Sequence, residues 1–426
     1  MTHTVLTFIS RVKPEKAEEL RTLLKQIGDD PENNPYIPFR KLELLHFASL
    51  VLHEPAKDEE KKEYGPYLIF ENNFDGPLDI YLNALCGQFG KGLHQIYGYC
   101  QDYTVTKADD CPEILTYLKA HVVRPNAYHI GNTGRSVLRI LEEQKLRDGL
   151  ESRADGLIRD RRQASPNRLL DVLRSFVRSD SELSGLPKVV SRQTLLQRYI
   201  PWVNLGLQGL LAVSLILALS PLVIIAGLVL LRKEKNDPVQ SSAADSGNVR
   251  KLVEREDRTH NVQNHMASIT VVKPGWLRRV TLWIVLRAVN LLARARATHG
   301  ELSGIPSIHF AHWSVIDNGR RLLFLSNFDG SWENYLDDFI DKAHEGLTEV
   351  WSNTVDFPRT RFLYKDGATD GPRFKAVARD SQTVTNAWYS AYRDLTVPGI
   401  DNNSSIREDI FKPLSDQATA TWLQRL

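Results

Sequence analysis

The chain is poor in the features that usually betray a chemistry. Its 426 residues include three cysteines, Cys86, Cys100 and Cys111, at spacings that match neither a metal-ligand set nor a redox pair. Free thiols in a reducing compartment are therefore expected. There is no Walker loop, no Gly-x-Gly-x-x-Gly, no Gly-x-Ser-x-Gly and no zinc motif, which sets aside the best-marked nucleotide, hydrolase and zinc classes. Nor does one charge dominate: 54 basic against 52 acidic residues leave +2, so no nucleic-acid partner is expected. The N-terminus lacks the apolar core of a signal peptide, since Val5–Ser10 is a β-like run followed by Lys13-Pro14 and a charged helix.

What the chain does have is an internal repeat. Phe70-Glu71-Asn72-Asn73-Phe74-Asp75-Gly76 returns 254 residues later as Phe324-Leu325-Ser326-Asn327-Phe328-Asp329-Gly330, with five of seven positions identical. His46-Phe47-Ala48 returns as His309-Phe310-Ala311, Tyr81-Leu82 as Tyr335-Leu336, and Gly92-Leu93 as Gly346-Leu347. The first copy carries nine extra residues between its motifs, falling in the charged stretch Glu54–Gly65, where a hairpin tolerates insertion.

Each copy reads as β-α-β-β-α-β. In the first, Val5–Val12, Leu42–Leu52, Tyr67–Phe70 and Ala120–Ile130 are β-like, and Glu15–Ile27 and Pro77–Tyr97 are helical. The second repeats the order through Ser268–Val272, Trp276–Ala297, Ile308–Ile316, Arg321–Leu325 and Trp332–Trp351, with a last strand at Phe374–Ala378 or Thr383–Tyr389. The expected class is α+β: two ferredoxin-like modules forming an intramolecular α/β barrel, plus one membrane-embedded helical segment. Element order and duplication resemble the dimeric α/β-barrel superfamily, which includes chlorite dismutase-like and dye-decolourising haem peroxidases and small cofactor-free monooxygenases. The peroxidases carry Gly-x-x-Asp-Gly near the haem; here Asp75-Gly76 and Asp329-Gly330 match its end, while its first glycine is missing both times.

His46 and His309, one per copy, are the first candidates for chemistry. They would act as haem ligands, if the resemblance extends to that cofactor, as general bases, or as hydrogen-bonded core groups. Asp75 and Asp329 end a strand and open a helix, which suits a capping carboxylate or a catalytic one. Trp332, Tyr335, Trp351, Trp388, Tyr389 and Tyr392 would line an apolar pocket or fill the core.

Between the copies, Gly209–Leu231 holds 23 residues without a charge, about 35 Å as a helix and enough to cross a bilayer. Trp202 stands before it and Arg232, Lys233 and Lys235 after it, and Ser220-Pro221 could break it into a re-entrant hairpin. Trp276–Ala297 reads as a basic amphipathic helix, with Trp276, Arg279, Trp283, Arg287 and Arg294 expected at the lipid interface. The organisation expected is a first module at 1–150, a helical connector at 151–200, the membrane segment at 201–232, a flexible linker at 233–264 and a second module at 265–426. The modules would lie on the cytoplasmic face of a membrane. Three functions fit: binding of a lipophilic small molecule, docking of a partner enzyme, or oxidoreduction of a lipophilic substrate.

Overall fold

A computed structural model describes residues 3–57, 61–159, 165–186, 203, 206–211, 214, 217–237, 246–258, 262–296, 302 and 304–426. The N-terminal half contains β1 (His3–Arg11), α1 (Ala17–Asp29), β2 (Leu45–His53), β3 (Tyr67–Asp75), α2 (Leu78–Tyr97), α3 (Cys111–Ala120), β4 (Val122–Val123), β5 (Ala127–Ile130) and α4 (Val137–Arg159). Helices α5 (Pro166–Ser179), α6 (Ser220–Asn236) and α7 (Ser246–Arg258) follow. The C-terminal half contains β6 (Gln263–Val271), α8 (Trp276–Arg296), β7 (Ile308–Ile316), β8 (Arg321–Asp329), α9 (Trp332–Trp351), α10 (Gly371–Asp380), β9 (Ala387–Ser390), α11 (Val397–Asp409) and α12 (Asp416–Leu423).

Local chemistry accounts for these elements. Helix α1 buries Leu20, Leu23, Leu24 and Ile27, the spacing of one helical face. Helices α3 and α10 start alike: Asp110 and Asp370 accept from the third-residue amides of Glu113 and Arg373, and Pro112 and Pro372 occupy the first turn. After β3 and β8 the chain turns through Gly76 at φ +85° and Gly330 at φ +80°, a region a side chain rarely adopts.

The strands form two antiparallel sheets, ordered β4-β1-β3-β2-β9 and β6-β8-β7-β5. Each half therefore lends a strand to the other: β5 leaves the N-terminal half to pair with β7, and β9 returns to pair with β2. Helix α1 packs so closely on the incoming strand that a Cβ on Gly28 would lie 2.0 Å from the carbonyl oxygen of Asn386. The sheets face each other, with Val51 and Ile69 packing against Ala267, Leu323 and Leu325. Helices α1–α3 cover the outer face of one sheet and α8–α10 that of the other. A separate helical core joins α4, α5, α11 and α12 through Leu146, Leu150, Leu173, Ile406 and Trp422.

Several expectations need correction. The expected pair of ferredoxin-like modules forming an intramolecular α/β barrel is replaced by mixed α/β halves that share two antiparallel sheets, because the last strand of each half pairs with the other half's edge. The membrane-embedded segment fails as well: among the described residues no helix is long and apolar enough to cross a membrane. Helix α6 begins at Ser220, with Pro221 in its first turn, and its apolar run ends at Arg232. Its polar end is docked on protein, where Glu234 accepts from the Thr360 hydroxyl (2.5 Å) and from the amides of Phe362 (3.0 Å) and Leu363 (2.7 Å). The expected membrane localisation, with modules on a cytoplasmic face, falls with the segment that carried it. Trp202 lies outside the described residues. Phe374–Ala378 is helical rather than a strand, because Asp370 and Pro372 start α10 there. Cys86 and Cys111, expected as free thiols, are joined in a disulfide between α2 and α3, with Cα atoms 5.8 Å apart; Cys100 is free and buried.

Candidate functional site

His46 and His309 owe their positions to two β-bulges. In the β2–β3 ladder the register jumps from Leu45 to Phe47, and in the β7–β8 ladder from Ile308 to Phe310. Each histidine is the extra residue, and a bulge re-aims the side chain it carries. Both turn towards the aspartate ending the neighbouring strand: His46 Nε2 lies 3.1 Å from Asp75 Oδ1, and His309 Nε2 lies 2.7 Å from Asp329 Oδ1. The other carboxylate oxygens accept backbone amides across the molecule, from Val137 at the start of α4 (2.9 Å) and Val397 at the start of α11 (2.8 Å). The aspartates do cap helices, but those following the exchanged strands rather than the ones they precede in sequence. Each bulge, histidine and aspartate thus latches an exchanged strand in place.

The two latches differ in their third member. At the N-terminal one, His3 Nδ1 lies 3.0 Å from Asp75 Oδ1; the register places Gln263 opposite Asp329 in the other. Burial disfavours the Asp75 carboxylate, yet the adjacent His3 and the hydrogen bonds from His46 and the Val137 amide outweigh it and hold the group well below the usual range. Burial pushes His46 down despite Asp75, so the ring is neutral. With Nε2–H given to the carboxylate, Nδ1 accepts from the Tyr392 hydroxyl at 2.8 Å. Burial, with Asp75 and Asp329 near it, keeps the Tyr392 phenol well above its ordinary value.

His3, His46 and Asp75 bring three ligand atoms within 4.8 Å of one another, a donor set suited to a divalent transition metal. The Gly134 amide, however, donates to His3 Nε2 at 2.8 Å. The ring proton then sits on Nδ1, facing Asp75, and that nitrogen is not a ready ligand in this arrangement. Haem fits no better. Both nitrogens of His46 are taken, and although His309 Nδ1 has no partner among the described residues, Phe47 and Tyr392 pack against its ring at 5.2 and 5.9 Å.

Deeper between the sheets lies a second polar cluster that the repeat motif did not announce. Glu71, fully buried, accepts from His265 (2.9 Å), Ser49 (3.0 Å), Asn73 (2.9 Å) and Asn327 (3.0 Å). These hydrogen bonds, with the nearby histidines, overcome the burial penalty and take its pKa down to about 2. His312 Nε2 meets the Thr7 hydroxyl at 3.0 Å, and burial lowers that ring to about 4. Trp388 donates to Asn327 at 2.8 Å. The one sequence signal was a mismatch: Glu71 faces Leu325 in the repeat, and a carboxylate within an apolar strand demands partners.

Most of the aromatic candidates are core. Tyr335 and Trp351 border a small apolar cavity, about 30 Å³, between β6, β8, α9 and α10. A larger cleft of about 460 Å³ opens where α6, the start of α8 and the end of β6 meet. Val229, Pro274 and Val355 form its apolar wall; Arg232, Lys233, Lys273 and Arg278 are its cations and Asp237 and Asp356 its carboxylates. Arg232 and Lys233, expected at a lipid interface, are exposed and line this cleft. Of the other residues expected there, Trp276 and Trp283 are exposed on α8, Arg287 stacks over Trp283 at 5.1 Å, Arg279 packs against Gly319, and Arg294 lies near the end of the helix. Comparison with known protein families, curated proteins and solved structures gives no match.

Proposed function

We propose that this protein is a small-molecule-binding protein whose site is the cleft between α6, α8 and the end of β6, and whose ligand has a lipophilic portion. The observation that carries the reading is the cleft itself. Its volume of about 460 Å³ falls in the range of small-molecule sites, and it joins an apolar wall to a few convergent polar groups. The histidine–aspartate pairs support catalysis less well, since their hydrogen bonds go to one another and to strand-exchange contacts and aromatic rings pack against them.

The test is a titration of the full chain with an uncharged environment-sensitive probe, N-phenyl-1-naphthylamine. Saturable fluorescence enhancement is expected, abolished by Val229→Trp, which fills the apolar wall. Enhancement that is absent, or unchanged by Val229→Trp, would remove the cleft as the site.

A further inference from the structure

The outer layers of the two halves follow one plan, so their cores can be matched residue by residue. In the strand ladders Phe8 stands opposite Phe70 and Ser268 opposite Phe324, which puts Ser268 in the place of Phe8. Helices α3 and α10, capped by Asp110 and Asp370, bring Tyr117 and Leu118 to the places that Val377 and Ala378 hold in the other half. After each helix the chain returns to the sheet in the same way. The Ile9 amide donates to the His121 carbonyl at 3.1 Å and the Ile269 amide to that of Ser381 at 3.0 Å.

At four matched positions the C-terminal half has the smaller side chain: Ser268 for Phe8, Val377 for Tyr117, Ala378 for Leu118 and Ser381 for His121. In the N-terminal half the larger groups fill the layer between sheet and helices. Phe8 packs on Phe70 at 5.9 Å, and Tyr117 packs on Tyr97 at 5.4 Å and on His121 at 4.0 Å. In the C-terminal half Phe339 and Trp351 are larger than their counterparts Leu85 and Tyr97. They do not close the gap: all four small residues line the apolar cavity of about 30 Å³. Protein interiors pack as densely as organic crystals, and an unfilled apolar void costs stability. Four reductions converging on one uncompensated space mark it as room for a guest.

The lining states what kind of guest. No charged side chain borders the cavity, and the Ser268 and Ser381 hydroxyls at its edge are bonded to each other at 2.7 Å. A charged or strongly polar group would be desolvated there without partners. We infer that this cavity is a binding site for a small hydrocarbon group, walled by Met266, Phe339 and Trp351 and admitted by the small size of Ser268 and Ala378. Since one water needs about 10–15 Å³ of such space, the cavity has room for about two or three methylene-sized groups, the scale of a short alkane or the end of an alkyl chain. The cavity is separate from the cleft, with Phe357 on its wall where Val355 and Asp356 line the cleft, so the inference stands without the cleft reading.

The chain holds two methionines, Met1 and Met266, and Met266 lies on the cavity wall. Methyl-labelled methionine therefore gives one reporter in the cavity and one reference signal. The experiment is a titration of the full chain with dissolved propane, followed through the two methyl resonances. A saturable shift of the Met266 signal is expected, with Met1 unmoved. Ala378→Leu and Ser268→Phe, which copy the filled half, should each abolish it, and urea midpoints identify which of the two variants is folded. Val229→Trp, in the cleft, should leave the shift unchanged. No saturable shift in the unsubstituted chain would overturn the inference and leave a plain packing void. A shift that survives filling in a folded variant, or that disappears with Val229→Trp, would overturn it too.

Discussion

The two halves enter their first helix through the same two residues and then part. Lys13-Pro14 follows β1 and Lys273-Pro274 follows β6, and the lysines do equivalent work: Lys13 Nζ donates to the Gly98 carbonyl, Lys273 Nζ to that of Ser352. Beyond them the N-terminal half has Glu15 and Glu18 where the C-terminal half has Gly275 and Arg278. Glu18 is exposed and pairs with Arg21 on its own helix, whereas Arg278 is buried and pairs with Asp237 at the far end of α6. Duplication therefore preserved the frame and reversed the charge at the mouth of one helix. The sheets' inner faces diverged similarly: Glu71 answers to Leu325, Ser49 to His312 and Val5 to His265. Polar groups lost from one half reappear as partners in the other, so the interior became complementary rather than symmetric.

That complementarity can be broken in order of expected effect. Acid should act most strongly. His53 and His312 have pKa values lowered to about 4 by burial, so below about 6.5 the unfolded chain takes protons that the folded one refuses. Stability is then lost as pH falls from about 6.5 to 4, on the order of 3 kcal/mol per histidine. Glu71, held down to about 2, gives a second loss as pH falls from about 4.5 towards 2. Urea midpoints measured across this range check the sign, and His312→Ser, which copies Ser49, should flatten the upper window. Stability that stays level from pH 7 to 4 would contradict the neutral buried rings. Next, Glu71→Leu makes the N-terminal strand copy the C-terminal one and strands four buried donors; a loss of about 4 kcal/mol in urea unfolding is expected. The smallest change is His3→Gln, which copies Gln263. It should cost under about 1 kcal/mol while leaving His46 on Asp75, a contact observable in the imidazole proton resonances.

The repeat made much of this legible. Asp75-Gly76 and Asp329-Gly330 marked strand ends before helices, and His46 and His309 stood out because both copies kept them. What they touch was not legible, because a bulge exists only in the register between two strands, and no local pattern in Leu45–Phe47 or Ile308–Phe310 encodes it. The exchange of β5 and β9 was hidden for the same reason: four-residue strands suit any open edge. Helix α6 was misread because an apolar run closed by basic residues looks alike whether it crosses a bilayer or, as here, ends in a carboxylate docked on protein, with Glu234 accepting from Thr360, Phe362 and Leu363.

The lending of strands between halves has a consequence for how such a chain assembles. One copy alone would present an unfilled edge beside β2 and hold a loose strand meant for someone else's edge. Only a second copy could complete it, and completion would then depend on how often two molecules meet. Covalent linkage makes the partner permanently local, turning a concentration-dependent encounter into a unimolecular folding step. Once the two copies were tethered, neither had to remain able to receive itself. That freedom is what allowed Glu71 to be matched by histidines it would never have met in a symmetric pair.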